Sequence, residues 1–117
     1  MINVERFKNL IRATAEADPK HFNMAFFGQC GTPACVLGNY AAREDLQDAF
    51  CFEDNTVKLC GSGVRISYAN IAVRDHFGIT AEETQRLFAS WGCSLAETPA
   101  EAVGYLQRFL SRKQQRI

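Results

Sequence analysis

The sequence predicts a mainly α fold: one small domain, a bundle of about five helices carrying a single short β-hairpin. Three observations predict it. Apolar residues recur at helical spacing in five separate segments. Two Thr-x-x-Glu boxes mark helix starts, one at Thr80–Glu83 and one at Thr98–Glu101. One run, Phe50 to Cys60, instead alternates with the period of a strand on both sides of a polar centre. The chain has 117 residues, 47% of them hydrophobic, which is enough to bury a core without staples.

The elements follow in order. Asn3 can cap a first helix from Val4 to about Ala17, with Val4, Phe7, Leu10, Ile11 and Thr14 or Ala15 as its buried stripe. Asp18-Pro19 ends it, because a residue before proline avoids the α region. From His21 to Gln29 the connection carries Phe22, Met24, Phe26 and Phe27, too apolar to leave in water, and it should press onto the core. Thr32 and Pro33 read as N-cap and first position of a second helix reaching about Arg43, with Val36, Leu37, Tyr40 and Ala41 inward. Glu44, Asp45 and Asp48 then form a solvated acidic face, since they lack the alternation of a calcium loop.

In the hairpin, a turn at Asn55-Thr56 sets Glu53 opposite Lys58, Phe52 opposite Leu59 and Cys51 opposite Cys60. Phe50, Phe52, Val57 and Leu59 then share the inner face. Gly61-Ser62-Gly63 reads as a flexible break. A third helix over about Ser67 to His76 places Ala69, Ala72, Val73, His76 and Phe77 on one stripe, with His76 at the edge of the buried face. The fourth, after Thr80, turns Thr84, Leu87, Phe88 and Trp91 inward and closes at Gly92. The last runs from Pro99 to about Arg112, burying Ala102, Val103, Leu106, Phe109 and Leu110, and residues 113–117 form a frayed basic tail.

Composition excludes several function classes. Lys plus Arg and Asp plus Glu are equal at 13 each, so the basic footprint of a nucleic-acid binder is missing. The four cations at the end of the last helix offer only weak, salt-sensitive binding. No apolar run approaches a membrane span, and the mixed-charge N-terminus does not read as a signal peptide. A cytoplasmic location is expected, with all five cysteines as thiols in a reducing compartment. Neither a cofactor nor a metal site is expected.

The candidate catalytic residues are Cys30, Cys35 and His76, with His21 as a second possible base. Cys30 and Cys35 flank the predicted helix start, where a thiolate is stabilised and a nearby imidazole makes a nucleophile. The same two residues also read as small buried apolar side chains, as a zinc pair lacking a second close pair, or as a redox disulfide. GQCGTPAC shares its first four residues with the GQCGSCW segment of papain-like cysteine peptidases, but neither the spacing nor the chain length follows that family.

A broader resemblance covers Phe22 to about Leu110. Phe22-Asn23-Met24, Cys30-Gly31-Thr32, Cys35 and Gly38 are followed by Phe77-Gly78-Ile79-Thr80, Glu83, Leu87-Phe88, Thr98-Pro99 and Ala102. The set resembles a family of small uncharacterised bacterial and phage proteins with the pattern F-D-M, C-G-T-x-x-C-x-x-G, F-G-L-[ST]-x-x-E-A-x-x-L-F and T-P-x-x-A. Asn23 stands where that pattern has Asp, and Thr84 where it has Ala. The resemblance implies a compact domain and no mechanism. The leading expectation is therefore a small interaction or regulatory module of bacterial or phage origin with an unidentified protein partner. A thiol enzyme comes second and a metal-binding module third.

Overall fold

A computed structural model describes residues 2–23, 28–29, 32–46, 49–66, 71–88 and 97–115. Five α-helices lie in these segments: α1 Val4–Ala15, α2 Val36–Ala42, α3 Ile71–Phe77, α4 Ala81–Phe88 and α5 Pro99–Gln115. Strands β1 Gly28–Gln29 and β2 Thr32–Pro33 pair with each other, as do β3 Phe50–Glu53 and β4 Thr56–Leu59. The mainly α class with one substantial hairpin is as the sequence predicts.

Helix starts follow the capping signals. The Asn3 side chain accepts from the Arg6 N–H at 3.0 Å. Thr80 accepts from the Glu83 N–H at 3.2 Å, and the Glu83 carboxylate accepts from the Thr80 N–H at 2.9 Å, closing the box. Thr98 accepts from the Glu101 N–H at 3.2 Å. Its hydroxyl, not its backbone amide, meets the Glu101 carboxylate at 3.3 Å. At the end of α3, Gly78 takes φ 67° and Ile79 donates to the Arg74 carbonyl at 3.0 Å, a left-handed glycine cap.

Phe77 is the hub of the core. It is fully buried, with Phe7 of α1 edge-on at 6.3 Å, Tyr40 of α2 at 5.2 Å and Phe88 of α4 at 6.0 Å. Asn3 donates to the Phe77 carbonyl at 2.8 Å, which ties the first turn of α1 to the end of α3. Leu10 on α1, Leu37 on α2, Val57 on β4, Val73 on α3 and Leu106 on α5 complete the interior. Phe22 is buried as the aromatic connection predicts, while Met24, Phe26 and Phe27 lie outside the described residues.

Two surface grooves follow the α1–α5 seam. One is lined by Lys8 and Ile11 with Gln107 to Gln114, the other by Ala15 and Ala17 with Thr98 to Val103. The two helices therefore run antiparallel. Lys113 of α5 bonds the Glu83 carboxylate of α4 and joins those two helices. Burial would raise the Glu83 carboxyl, but the hydrogen bonds from Lys113 and Thr80 outweigh it and hold the group below the ordinary carboxylate range.

Several expectations need correction. The second helix begins at Val36, not Pro33. Thr32 and Pro33 are extended and pair with Gln29 and Gly28. A residue before proline favours the extended region, and proline is tolerated at a sheet edge, so the same dipeptide that can open a helix builds an edge strand here. Gly28 lies so close to the hairpin that a Cβ there would meet the Phe52 ring at 2.3 Å. Helix α1 stops at Ala15, two residues before the expected end, whereas α5 continues to Gln115. The expected start of the third helix at about Ser67 and the expected end of the fourth at Trp91-Gly92 lie outside the described residues.

The hairpin register also differs. Phe50 pairs with Leu59, Cys51 with Lys58, Phe52 with Val57 and Glu53 with Thr56. The turn residues are Asp54 and Asn55, at φ 53° and 60°. This is the doubly left-handed turn that suits a two-residue hairpin, and Asp and Asn tolerate it where the β-branched Thr56 does not. The turn moves back by one residue and the pairing slips by two. A slip of two keeps every side chain on its face, so Phe50 and Val57 still point into the core. Gly61 to Gly63 form a hydrogen-bonded turn: Gly63 donates to the Leu59 carbonyl, and Leu59 donates to the Val64 carbonyl.

Candidate functional site

Cys35 is the N-cap of α2. Its backbone is extended, at φ −88° and ψ 178°, and its Sγ accepts from the Gly38 N–H at 3.3 Å. Sulfur thus occupies the place that Ser or Asp takes at most helix starts. Ala34, Val36 and Leu37 beside it are fully buried, and Cys35 is only 4% exposed. Burial pushes the thiol up to about 11, and the lowering effect of the surrounding backbone amides does not compensate. At neutral pH the group is a thiol, with little of the thiolate that a nucleophile or a metal ligand requires.

Farther along the same helix, the Tyr40 hydroxyl lies 2.7 Å from His76 Nε2. Both residues are buried, at 3% and 5% exposure. The imidazole sits among three rings, with Phe77 at 4.8 Å, Phe50 at 4.9 Å and Tyr40 at 5.6 Å. His76 therefore lies deeper than the edge position its helical stripe predicts. The reason is the hairpin, whose inner residue Phe50 covers it. Outside this cage, Arg6 Nη1 donates to the His76 carbonyl at 3.1 Å. A phenol–imidazole bond in an apolar cage fixes the relative placement of α2 and α3, and deleting one partner of such a buried bond is costly.

Of the candidate residues, Cys35 and His76 are brought to the buried sides of α2 and α3, but they have different partners. The Cys35 sulfur is satisfied by Gly38, and the His76 ring is bonded to Tyr40. Cys30 lies outside the described residues. His21 is exposed beside Asp18, at 3.8 Å. Tyr40 is the functional partner that sequence reading missed. It was visible as an inward apolar position on α2, but nothing in the spacing paired its hydroxyl with a histidine 36 residues away. Among the described residues no group of three or more His, Cys, Asp or Glu is positioned to hold a metal ion.

The expectation of five thiols is corrected on the opposite face of the hairpin. Cys51 and Cys60 form a disulfide with their Cα atoms 5.4 Å apart. In the observed register Cys60 is not opposite Cys51 but diagonal to it, one pleat beyond Lys58. Both cysteines are half-buried, on the side of the hairpin away from the core.

Among the described residues, two concave surfaces lie along the α1–α5 seam. The larger, about 620 Å³, lies between the end of α1 and the start of α5 and is mostly apolar, with Ala15, Ala17, Pro19, Pro99, Ala100 and Val103 in its walls. The smaller, about 250 Å³, continues along the same seam past Lys8 and Gln114. No helix of the described residues is long and apolar enough to cross a membrane. Comparison with protein-family models, with curated proteins and with solved structures finds no match.

Proposed function

We propose that this chain is a small non-enzymatic interaction or regulatory module that engages a protein partner through the α1–α5 seam. One observation carries the reading. Of the described candidates for thiol chemistry, Cys35 is engaged in the core as a buried helix cap and His76 in the Tyr40 cage, while His21 stands exposed beside Asp18. Among the described residues the seam offers a concave surface for recognition, with an apolar floor at one end and Lys8 and Gln114 at the other. The motif resemblance supports a bacterial or phage origin.

The test is affinity capture from the native host with three forms of the protein: wild type, Val103→Glu in the seam, and Cys35→Ser in the core. The reading expects one captured protein to be lost with Val103→Glu and retained with Cys35→Ser. Loss with Cys35→Ser alone, while that variant stays folded, would instead favour the thiol.

A further inference from the structure

We propose that Cys51 and Cys60 form a reversible thiol–disulfide couple, opened and closed on the folded protein by low-molecular-weight thiols and disulfides. The proposal stands on the hairpin and not on the seam. It concerns what the disulfide holds, and what holds the hairpin without it.

The hairpin has its own restraints. Asp54 and Asn55 supply the left-handed turn, and four residue pairs set the register. On the inner face Phe50 and Val57 are buried in the core, at 1% and 0% exposure. Lys58 spans to both Glu53 and Asp54 across the turn. None of these depends on the sulfur–sulfur bond. The bond closes a loop of only nine residues' separation, and short loops gain the least from closure. The disulfide is thus a local clasp outside an already folded ribbon.

What it does hold is the exit from β4. Cys60 donates to the Ala49 carbonyl at 2.9 Å, and the chain then turns through Gly61 and Gly63, both at positive φ. Residues 64 to 66 fold back along β4, where Ile66 donates to the Val57 carbonyl and Arg65 bridges to Lys58. The clasp fixes the first residue of this return, and breaking it frees the turn while the strands stay paired.

Access and chemistry fit exchange. Both sulfur-bearing residues are half-buried on the outward face, unlike Cys35. Lys58 is the direct cross-strand neighbour of Cys51, and its amine is held toward the turn by Glu53 and Asp54. The reaction balances with two small thiols. The first thiolate attacks one sulfur, giving a mixed disulfide and releasing the other sulfur as a thiolate that takes up a proton. The second small thiolate then attacks the small molecule's own sulfur in the mixed disulfide and releases the remaining protein sulfur as a thiolate, which takes up a proton. The products are two protein thiols and one small disulfide, and oxidation is the reverse.

The experiment equilibrates the full chain in glutathione buffers of graded ratio without denaturant. Open thiols are then trapped with iodoacetamide and mapped by peptide mass. The expected result is one reversible two-electron transition in which Cys51 and Cys60 are labelled together. Far-ultraviolet circular dichroism should be unchanged across it, and amide exchange should quicken over residues 60–66. Three results would overturn the proposal: labelling that requires denaturant, loss of helical signal on reduction, or failure of the pair to oxidise at the most oxidising ratio.

Discussion

Cys35 and the Cys51–Cys60 pair put the same atom in opposite surroundings. Cys35 is buried, as are its chain neighbours Ala34, Val36 and Leu37, and its sulfur serves as a hydrogen-bond acceptor for one backbone amide. Cys51 and Cys60 lie half-buried on the outer face of a two-stranded ribbon beside a lysine. A helix start is commonly taken as the place where a thiol becomes reactive. Here desolvation outweighs the helix end, and the thiol is pushed up to about 11. What a cysteine can do is set first by whether its charged form meets water, and only then by dipoles and neighbouring charges.

The largest expected effect breaks the comparison at alkaline pH. The folded value of Cys35 stands above its ordinary value of 9.0. Its contribution to stability is therefore complete below pH 9 and is lost as pH rises toward 11, because the unfolded chain deprotonates first. The loss is bounded at roughly 3 kcal/mol, two pKa units converted to free energy. Denaturant midpoints of wild type and Cys35→Ser from pH 8 to 11 check it. Wild type should lose more stability than the variant, whose hydroxyl does not titrate in that range.

Next comes the clasp. Replacing both Cys51 and Cys60 by Ser should cost roughly 2.5 kcal/mol under oxidising conditions, the chain-entropy value for so short a loop. The difference from wild type should vanish when both are measured in excess reductant. A difference that persists there would mean that the two side chains stabilise the hairpin by packing.

A smaller pair of variants separates cap from volume at Cys35. Cys35→Ala removes the acceptor for the Gly38 amide and should cost about 1–2 kcal/mol by thermal or denaturant melting. Cys35→Ser retains an acceptor at the helix start and should fall within about 1 kcal/mol of wild type. The smallest effect is at the turn. Asn55→Gly suits a positive φ at lower cost and should raise the denaturant midpoint, by a few tenths of a kcal/mol.

The elements that could be read from sequence are those whose signal is local. Asn3, Thr80 and Thr98 each cap the helix they were expected to cap, because an N-cap depends on residues three apart. The inner face of the hairpin was legible for the same reason, since alternation survives a slip of two. The register was not legible, because it turns on which dipeptide tolerates positive φ. Pro33 was misread because proline suits both a helix start and an edge strand, and only the pairing with Gly28 decides between them. The site was the least legible part. His76 was placed on the right stripe, but its depth comes from Phe50 and its bond from Tyr40, both remote in sequence.

The measurement that tests the central claim most directly is native-state iodoacetamide labelling of Cys35 as a function of pH, read on the Cys35 peptide by mass spectrometry. Burial predicts that Cys35 stays unlabelled through neutral pH, becomes reactive only toward pH 11, and labels fully at once on unfolding. Rapid labelling of Cys35 in the folded protein, with an apparent pKa at or below its ordinary value of 9.0, would contradict the account and move the thiol enzyme to first place.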